Sequence, residues 1–348
     1  MPSIRAISQN NLAAYDPYAK APEPNTAYDW LHPPLAKLIQ AGSVKLLGDN
    51  SFAWRFPSVV FGIAAIAALY FFALTLFKNQ NLALLAAAIF SFDNLQLTMS
   101  RIAMNDIFVT TWIILALAFF YRKNLFLTGL LTGLAVATKH SAILLFPIYA
   151  IFFLIKSPKK LLFIVYILLI TVIIYFLSYS QLFLQGGSLT DFYNLHKQIY
   201  WYQSHLTATH TYQSAAWQWP LLIRPVWFYV NYFKDSIANI YNLGNPVVFW
   251  GGLVALIFSR NLYLLISYFA LFSPFIFSPR IMFLHHYLPA LAILCVILAQ
   301  RLTTFSKKTI TIIMLMMVII FIFFFPINTA IPLPNNLLKF WFWLPTWR

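Results

Sequence analysis

The chain has 348 residues, of which 61% are hydrophobic, 19% aromatic and 9% charged, and its formal net charge is +15. Soluble domains carry about a quarter charged residues, so this composition excludes a single soluble globule and indicates an integral membrane protein. The apolar content excludes a disordered chain, and the single cysteine, Cys295, excludes a disulfide scaffold. The basic residues stand singly between apolar runs, which is typical of membrane topology signals rather than of a nucleic-acid interface.

The first predicted element is an amphipathic helix over residues 34–47. It begins at a proline, which suits a first helical turn, and Gly48 suits its end. Its leucines and isoleucine fall near one face, so we expect it to lie on the outer leaflet with Asp29 and His32 at its entrance. Alternatively, the His-Pro-Pro sequence is only a rigid turn and Lys37 reaches lipid headgroups.

Ten apolar stretches further along the chain are predicted to span the membrane, since about 20 mostly apolar residues cross a bilayer as a helix. They are residues 55–77, 82–98, 107–121, 124–138, 141–155, 161–180, 246–258, 262–277, 286–301 and 309–325.

The linkers between these spans alternate in charge. One set carries ten basic residues and no acid, so the positive-inside rule places it in the cytoplasm. Its members are Lys78, Arg122, Lys123, Lys156, Lys159, Lys160, Arg260, Arg301, Lys307 and Lys308. The other set holds all eight acidic residues and all seven histidines, so we expect the ionisable chemistry on the outer face. The predicted organisation is an outer segment 1–54, a transmembrane bundle 55–180, a large extracytoplasmic loop 181–245 and a C-terminal bundle and tail 246–348.

Arg101 and Asp106 lie five residues apart in one outer linker. On a continuous helix they would point about 140° apart. Asn105 is a good N-cap, which predicts a new helix from Asp106. The pair has two interpretations of equal weight. Either Arg101 anchors at headgroups and Asp106 complements the helix dipole, or the two line a polar cavity that takes a phosphate and a substrate.

Lys139 and His140 interrupt an apolar stretch that is too long for one span. They form either a hairpin between two spans or a point charge for an anionic lipid headgroup, and the residues leave both open. Gly129 and Gly133 nearby have the GxxxG spacing, which predicts close helix packing.

The outer loop 181–245 is dense in aromatic residues and histidines, including His210, Trp219 and Trp227. An interfacial aromatic belt is the simpler interpretation. A platform on which sugar rings stack is the alternative.

Arg280, His285 and His286 precede or open the span 286–301. Two adjacent histidines on a helix point in different directions, so they make a poor metal pair. The sequence contains no His-x-x-x-His pair and no cysteine cluster, so it indicates no metal or other cofactor.

Six motifs recur in a familiar order between about residues 28 and 300. They are residues 32–37 (HPPLAK), 54–58 (WRFPS), 100–108 (SRIAMNDIF), 137–139 (ATK), 219–220 with 224–227 (WP and RPVW) and 286–290 (HYLPA). In this order they resemble the bacterial branch of the protein O-mannosyltransferases, which are phospholipid-carrier-dependent glycosyltransferases of GT-C architecture.

The resemblance implies an all-α polytopic membrane protein, a GT-C-type bundle of about ten transmembrane helices with outer-face loops and an interfacial helix. It implies an inverting transfer of mannose from a polyprenyl phosphate to Ser or Thr hydroxyls of translocated polypeptides. The implied location is the plasma membrane with an extracytoplasmic active face. The implied partners are the lipid-linked sugar, the polypeptide acceptor and membrane lipids, with no nucleic acid.

The resemblance also suggests roles for particular residues. A leaving phosphate needs positive charge, for which Arg101, Lys139 and Arg280 are available. We assign Asp29 and Asp106 as the catalytic carboxylates, which orient donor or acceptor, with the role of base less favoured. The expected substrate contacts are His32, His140, His210, Trp219, His285 and His286.

The chain departs from the family in one respect. Family members carry an Asp-Glu pair just after a first transmembrane helix, and this pair supplies the catalytic base. No Asp-Glu dipeptide occurs here, and no apolar segment ahead of residue 55 would export residue 1. We therefore expect the chain to lack the N-terminal helix and to show little transfer by itself.

Other functions stay open. One is a GT-C transferase for another sugar or for a lipid acceptor. Another is a transporter or an inactive, non-catalytic membrane subunit. Transporters place charged residues near the bilayer centre. The spans here are nearly free of charge and the charge gathers at the outer rim, which favours chemistry at the interface.

Overall fold

The structure is a computed structural model that describes residues 1–156 and 162–348. The helices are α1 (Pro2–Ser8), α2 (Leu35–Leu47), α3 (Ser51–Phe77), α4 (Gln80–Ser91), α5 (Asn94–Met99), α6 (Asp106–Tyr121), α7 (Leu125–Thr138), α8 (Leu145–Lys156), α9 (Leu162–Ser178), α10 (Ser180–Leu184), α11 (Leu189–His205), α12 (Pro246–Ile257), α13 (Leu262–Phe272), α14 (Leu288–Leu302) and α15 (Lys307–Thr329). The strands are β1 (Val226–Tyr232), β2 (Ser236–Asn242) and β3 (Leu333–Pro334). The basic residues Lys159 and Lys160, and the start of the predicted span 161–180, lie outside the described residues.

A helix occurs in each of the ten predicted spans. In the part of the chain that the structure describes, three segments are long and apolar enough to cross a membrane: Ser51–Phe77, Leu284–Leu302 and Lys307–Thr329. The other apolar helices have 10 to 17 residues.

Capping residues beside the basic linkers set where several of these helices begin. The Oδ1 atoms of Asn79, Asn124 and Asn261 accept hydrogen bonds from the backbone N–H groups three residues ahead, and Ser306 does the same with its hydroxyl. A capping side chain satisfies one of the backbone donors that a helix start leaves unpaired. The apolar run therefore becomes helical immediately after each cap.

The stretch 82–98 is not one helix, contrary to the prediction. It divides into α4 and α5 at Asp93, whose Oδ1 accepts from the backbone N–H groups of Leu95 and Gln96 at 2.9 and 3.1 Å. Its other oxygen accepts from the backbone N–H of Asn245 at 2.9 Å. The buried carboxylate thus starts a new helix where the apolar pattern alone continues the old one.

The chain forms two compact units. Unit 1 comprises residues 1–61 and 101–207. Within it, α7 packs against α6 and α9, and α1 packs against α2. A Cβ atom at Gly133 would lie 2.6 Å from the Cβ of Ile174 on α9, and one at Gly129 would lie 2.9 Å from the Cβ of Ile170. The predicted close packing at the GxxxG sequence is confirmed.

Helix α2 begins and ends where the sequence predicts, with Gly48 at a left-handed φ of 84°. The orientation of its faces differs from the prediction. Lys37 and Gln40 point into unit 1 and are buried, whereas Leu46 is 86% exposed. Packing against α1 and α7, and not the leaflet alone, selects the buried face.

Unit 2 comprises residues 62–100 and 208–348. Its centre is α14, against which α4, α12 and α13 pack. A three-stranded antiparallel sheet in the order β1-β2-β3, absent from the sequence prediction, lies within the predicted outer loop and the tail. Asn328 of α15 donates to the carbonyl oxygen of Tyr241 on β2 at 2.7 Å, which ties the sheet to that helix.

We expect Gly133→Ala to lower the free energy of unfolding. The added methyl group meets the branched, backbone-proximal Cβ of Ile174, and overpacking of this kind costs about 1–3 kcal/mol. At Gly133 we expect this overpacking cost to exceed the stabilisation of about 1 kcal/mol that alanine gives a helix relative to glycine. Thermal unfolding of the full chain in detergent measures the change.

Gly42→Ala is the matched control, because nothing lies within 4 Å of a Cβ at Gly42 in α2. It should leave the melting temperature unchanged or raise it. Equal effects of the two substitutions would contradict the packing argument.

Candidate functional site

A buried ion pair joins two of the residues singled out from the sequence. The Lys139 Nζ donates to Asp106 Oδ1 at 2.7 Å, and their side chains are 8% and 4% exposed. Lys139 follows the last residue of α7 in extended conformation, and Asp106 opens α6, with Asn105 at the N-cap position but without a side-chain cap bond. The helix start that we predicted at Asp106 is therefore confirmed.

A second group surrounds the entrance of α2. The Lys37 Nζ donates to the backbone carbonyl oxygens of Asp29 and His32, the latter at 2.8 Å, and lies 3.6 Å from Asp29 Oδ2. Lys37 is 5% exposed, whereas the Asp29 side chain is 43% exposed. The alternative that Lys37 reaches lipid headgroups is wrong, because its ammonium group folds back onto the loop before α2.

These charges act on one another. Burial alone would raise the pKa of Asp29, but the opposing charges around it, that of Lys37 above all, outweigh burial and hold that pKa below its ordinary value. Burial lowers the pKa of His32, while the Asp29 charge acts in the opposite direction. Asp29 is therefore ionised, and His32 favours its neutral form, near neutral pH.

The two groups belong to one electrostatic neighbourhood in unit 1. Lys139 lies close enough for its charge to act on both Asp29 and His32, and Asp106 acts on His32. Residues distant in sequence thus meet where α2 and α7 pack together.

A network of hydrogen bonds adds His140 to this neighbourhood. The Tyr175 hydroxyl lies 2.9 Å from His140 Nε2 and 2.7 Å from His196 Nε2. His196 Nδ1 lies 2.7 Å from the carbonyl oxygen of Phe192, so Nδ1 donates and a neutral His196 accepts from Tyr175 through Nε2. The sequence analysis did not select Tyr175 or His196. His196 and Phe192 are four residues apart on α11, and this spacing gives no indication of the contact between His196 and Tyr175.

Arg101 lies in the linker before α6 and is half-buried. Burial, together with the charge of Arg55, lowers the pKa of the Arg101 guanidinium. Among the described residues, neither arginine forms an ion pair with a carboxylate. Two neighbouring guanidinium groups without a balancing carboxylate attract an anion.

Unit 2 brings together three other selected residues, His210, His285 and His286, around the side chain of Phe283. The His285 and His286 rings stack at 4.6 Å with 26° between their planes, in a 3-10 turn rather than on an α-helix. The expectation that they point in different directions is wrong for this reason. His210 contacts the edge of Phe283 at 5.2 Å, and Arg280 follows Ser278 in the same linker as Phe283.

Trp219 occupies a different environment from the one expected. It is 1% exposed, its Nε1 donates to Ser214 Oγ at 3.0 Å, and its ring stacks on His286. An indole enclosed in this way has no free face for a sugar, so its contacts in this structure are those of a core residue.

Within residues 1–156 and 162–348, no three or more His, Cys, Asp or Glu side chains form a group that could hold a metal ion.

Two family models match the chain. Residues 31–179 match the model described as dolichyl-phosphate-mannose-protein mannosyltransferase. Residues 188–261 and 257–347 match the C-terminal four-transmembrane region of protein O-mannosyltransferase. Together they include every selected site residue except Asp29.

Two curated relatives carry the name dolichyl-phosphate-mannose–protein mannosyltransferase 1. The one from Saccharomyces cerevisiae is 28% identical over 130 residues, which is 29% of this chain and 15% of the relative. The one from Candida albicans is 30% identical over 125 residues, or 28% of this chain and 14% of the relative. The matched stretch thus spans less than a sixth of either yeast protein.

Solved structures share the fold. The S. cerevisiae Pmt1–Pmt2 complex bound to the sugar donor matches with a TM-score of 0.76 and 14% identity, over 99% of this chain and 88% of that chain. ArnT from Cupriavidus metallidurans bound to undecaprenyl phosphate matches with a TM-score of 0.62 and 14% identity, over 92% of this chain and 57% of that chain.

We expect Lys139→Met and Asp106→Leu each to destabilise the protein strongly, because each leaves one buried charge without its partner. Loss of one member of a buried pair costs about 3–5 kcal/mol, whereas replacing both with apolar side chains is often close to neutral. The double variant should therefore recover most of the stability. A double-mutant cycle on thermal unfolding checks this, and additive losses would show that the two charges do not depend on each other.

We expect acid to destabilise the protein partly through His196. Burial lowers the pKa of His196 in the folded state, with the Phe192 carbonyl opposing the shift. The unfolded chain then binds more protons, so stability falls as the pH drops below the ordinary histidine pKa of about 6.5. Melting temperatures between pH 7.5 and 5 should show a smaller slope for His196→Gln than for the parent. An unchanged slope would mean that His196 takes no part.

Proposed function

Because the chain belongs to the protein O-mannosyltransferase family of GT-C glycosyltransferases, we propose that it moves mannose from a polyprenyl phosphate to Ser or Thr hydroxyls of polypeptides. In this reaction the hydroxyl oxygen attacks the anomeric carbon as the bond to the phosphate oxygen breaks. The hydroxyl loses its proton, polyprenyl phosphate leaves, and the configuration at the anomeric carbon inverts.

The observation that carries this proposal is the contrast between the two selected carboxylates. Asp106 is buried and neutralised by Lys139, so it positions the start of α6. Asp29 is 43% exposed and its lowered pKa keeps it ionised, which supports it as the carboxylate that accepts a hydrogen bond from the acceptor hydroxyl and orients it.

Arg101 and its neighbour Arg55 support the binding of the donor phosphate. Guanidinium groups bind phosphate oxygens through paired N–H donors, and their charge stabilises the phosphate as it leaves. Lys139 was a candidate for the same role, but its ammonium group is buried and already donates to Asp106 Oδ1. We propose that His32 and His140 complete the contacts to the donor in unit 1. The roles of Arg280, His210, His285 and His286, which lie in unit 2, stay what the resemblance to the family implies.

The distribution of charge also supports a location. Basic inner linkers and acidic or histidine-containing outer linkers favour an active face on the extracytoplasmic side of the plasma membrane. The resemblance to the bacterial branch of the family supports a polyprenyl carrier. Both remain proposals for this chain.

We expect Asp29→Asn to lower transfer by about 100-fold or more, in keeping with the contribution of a group that positions the acceptor hydroxyl. We expect Arg101→Ala to lower it by about 100- to 1,000-fold, since it removes charge that stabilises the leaving phosphate. The assay uses membranes containing the full chain, polyprenyl-phosphate-[³H]mannose and a Ser/Thr peptide.

Asp235→Asn and Arg260→Ala are the matched controls, because Asp235 is an exposed carboxylate of unit 2 and Arg260 lies in a predicted inner linker. Both should leave transfer unchanged. Parent-level transfer by Arg101→Ala would contradict its role, and labelling of lipid with no labelled peptide would identify a lipid acceptor instead.

A further inference from the structure

The sheet of unit 2 forms one side of a groove of about 460 Å³, a volume within the range of small-molecule sites. Ile237, Asn239 and Tyr241 alternate along β2, so they share one face of the strand. The chain after α15 returns beside them and supplies Asn335, Asn336 and Phe342. None of the described residues that line the groove is an Asp, Glu or His, so the groove has the composition of a binding site without acid–base chemistry.

One wall of the groove is flat and aromatic. Trp227 lies directly opposite Tyr241 in the β1–β2 register, and their rings are stacked with 4° between their planes. Phe342 meets Tyr241 edge-on, with ring centroids 5.3 Å apart. Aromatic faces carry partial negative charge and attract the weakly positive C–H groups on one face of a pyranose ring.

A buried amide faces the groove. Asn239 is 2% exposed, and its Oδ1 accepts from the Trp227 Nε1 at 2.9 Å. Because the indole N–H is only a donor, the amide oxygen must face Trp227 and the amide nitrogen must face elsewhere. No hydrogen bond from Asn239 Nδ2 occurs within the described chain, and Asn239 lines the groove. The amide nitrogen of Asn239 can therefore donate to a ligand in the groove that supplies an acceptor oxygen.

We propose that this groove binds a hexopyranose, namely a mannosyl unit already attached to an acceptor. The partly exposed ring of Trp227, held in place by the buried Tyr241, takes the ring face, and the amides of Asn239, Asn335 and Asn336 donate to its hydroxyl oxygens. The preference for a pyranose stands on the groove alone, whereas the choice of mannose rests on the proposed function. The groove would then hold a mannosylated polypeptide on the enzyme between additions.

The test uses methyl α-D-mannopyranoside and the full chain in detergent, with saturation-transfer NMR and a titration. We expect saturable binding with a Kd of about 1 mM, as for a ligand with so few atoms. Asn239→Leu should abolish binding, and Asn335→Ala with Asn336→Ala should weaken it by about tenfold. Asn231→Ala, on an exposed part of β1 outside the groove, should bind as the parent does.

Three results would overturn the proposal. They are no binding by the parent, equal binding by the parent and both groove variants, or displacement of the mannoside by inorganic phosphate, which would identify an anion site at the Lys339 rim. Thermal unfolding shows whether Asn239→Leu is folded. If it is not, the double variant at the exposed residues Asn335 and Asn336 still tests the groove. Mannoside binding retained in Arg101→Ala separates a failure of this groove from a failure of the transfer site.

Discussion

The arrangement of unit 1 depends on the contact between Asp106 and Lys139. Either charge alone would be strongly unfavourable in so buried a position, so the ion pair holds the start of α6 against the end of α7. The end of α7 is itself fixed, because Gly129 and Gly133 bring α7 against α9 at a distance that no larger residue allows. Lys139 is thereby held where its charge acts on Asp29 and His32 in the loop before α2.

In this arrangement one pair of charges cancels, whereas other charges of unit 1 stay partly exposed. The pair at Asp106 and Lys139 is neutral overall and enclosed. Asp29 stays open to the exterior with its negative charge favoured by Lys37, and Arg101 stays half-buried beside another guanidinium. A site for a sugar phosphate and a hydroxyl needs both signs within reach yet not cancelled by each other. In unit 1 the contact that cancels charge is the buried one, between Asp106 and Lys139.

Sequence reasoning reached the helices and the close packing at Gly129 and Gly133, but not the polar contacts between helices. Apolar runs and capping residues such as Asn124 determine helices locally, so their positions could be predicted. The pairing of Lys139 with Asp106 joins residues 33 apart and follows from helix packing, which a linear pattern does not contain. The division of the stretch 82–98 at Asp93 was missed because a hydropathy average over the whole stretch hides a single buried acid. The sheet was missed because β1 lies in a segment whose aromatic residues equally suit a membrane interface.

Asp93 has a consequence for unit 2 as a whole. Its carboxylate bonds Asn245 at the start of α12, and the Asn245 amide donates to the carbonyl oxygens of Phe92 and Met317, so α4, α12 and α15 share one junction. If any of these helices slides or tilts, a buried polar atom at the junction loses its hydrogen bond, which costs free energy. A lateral force from the lipid on any one of these three helices is therefore shared by the other two. We expect the three helices to resist deformation together at this junction.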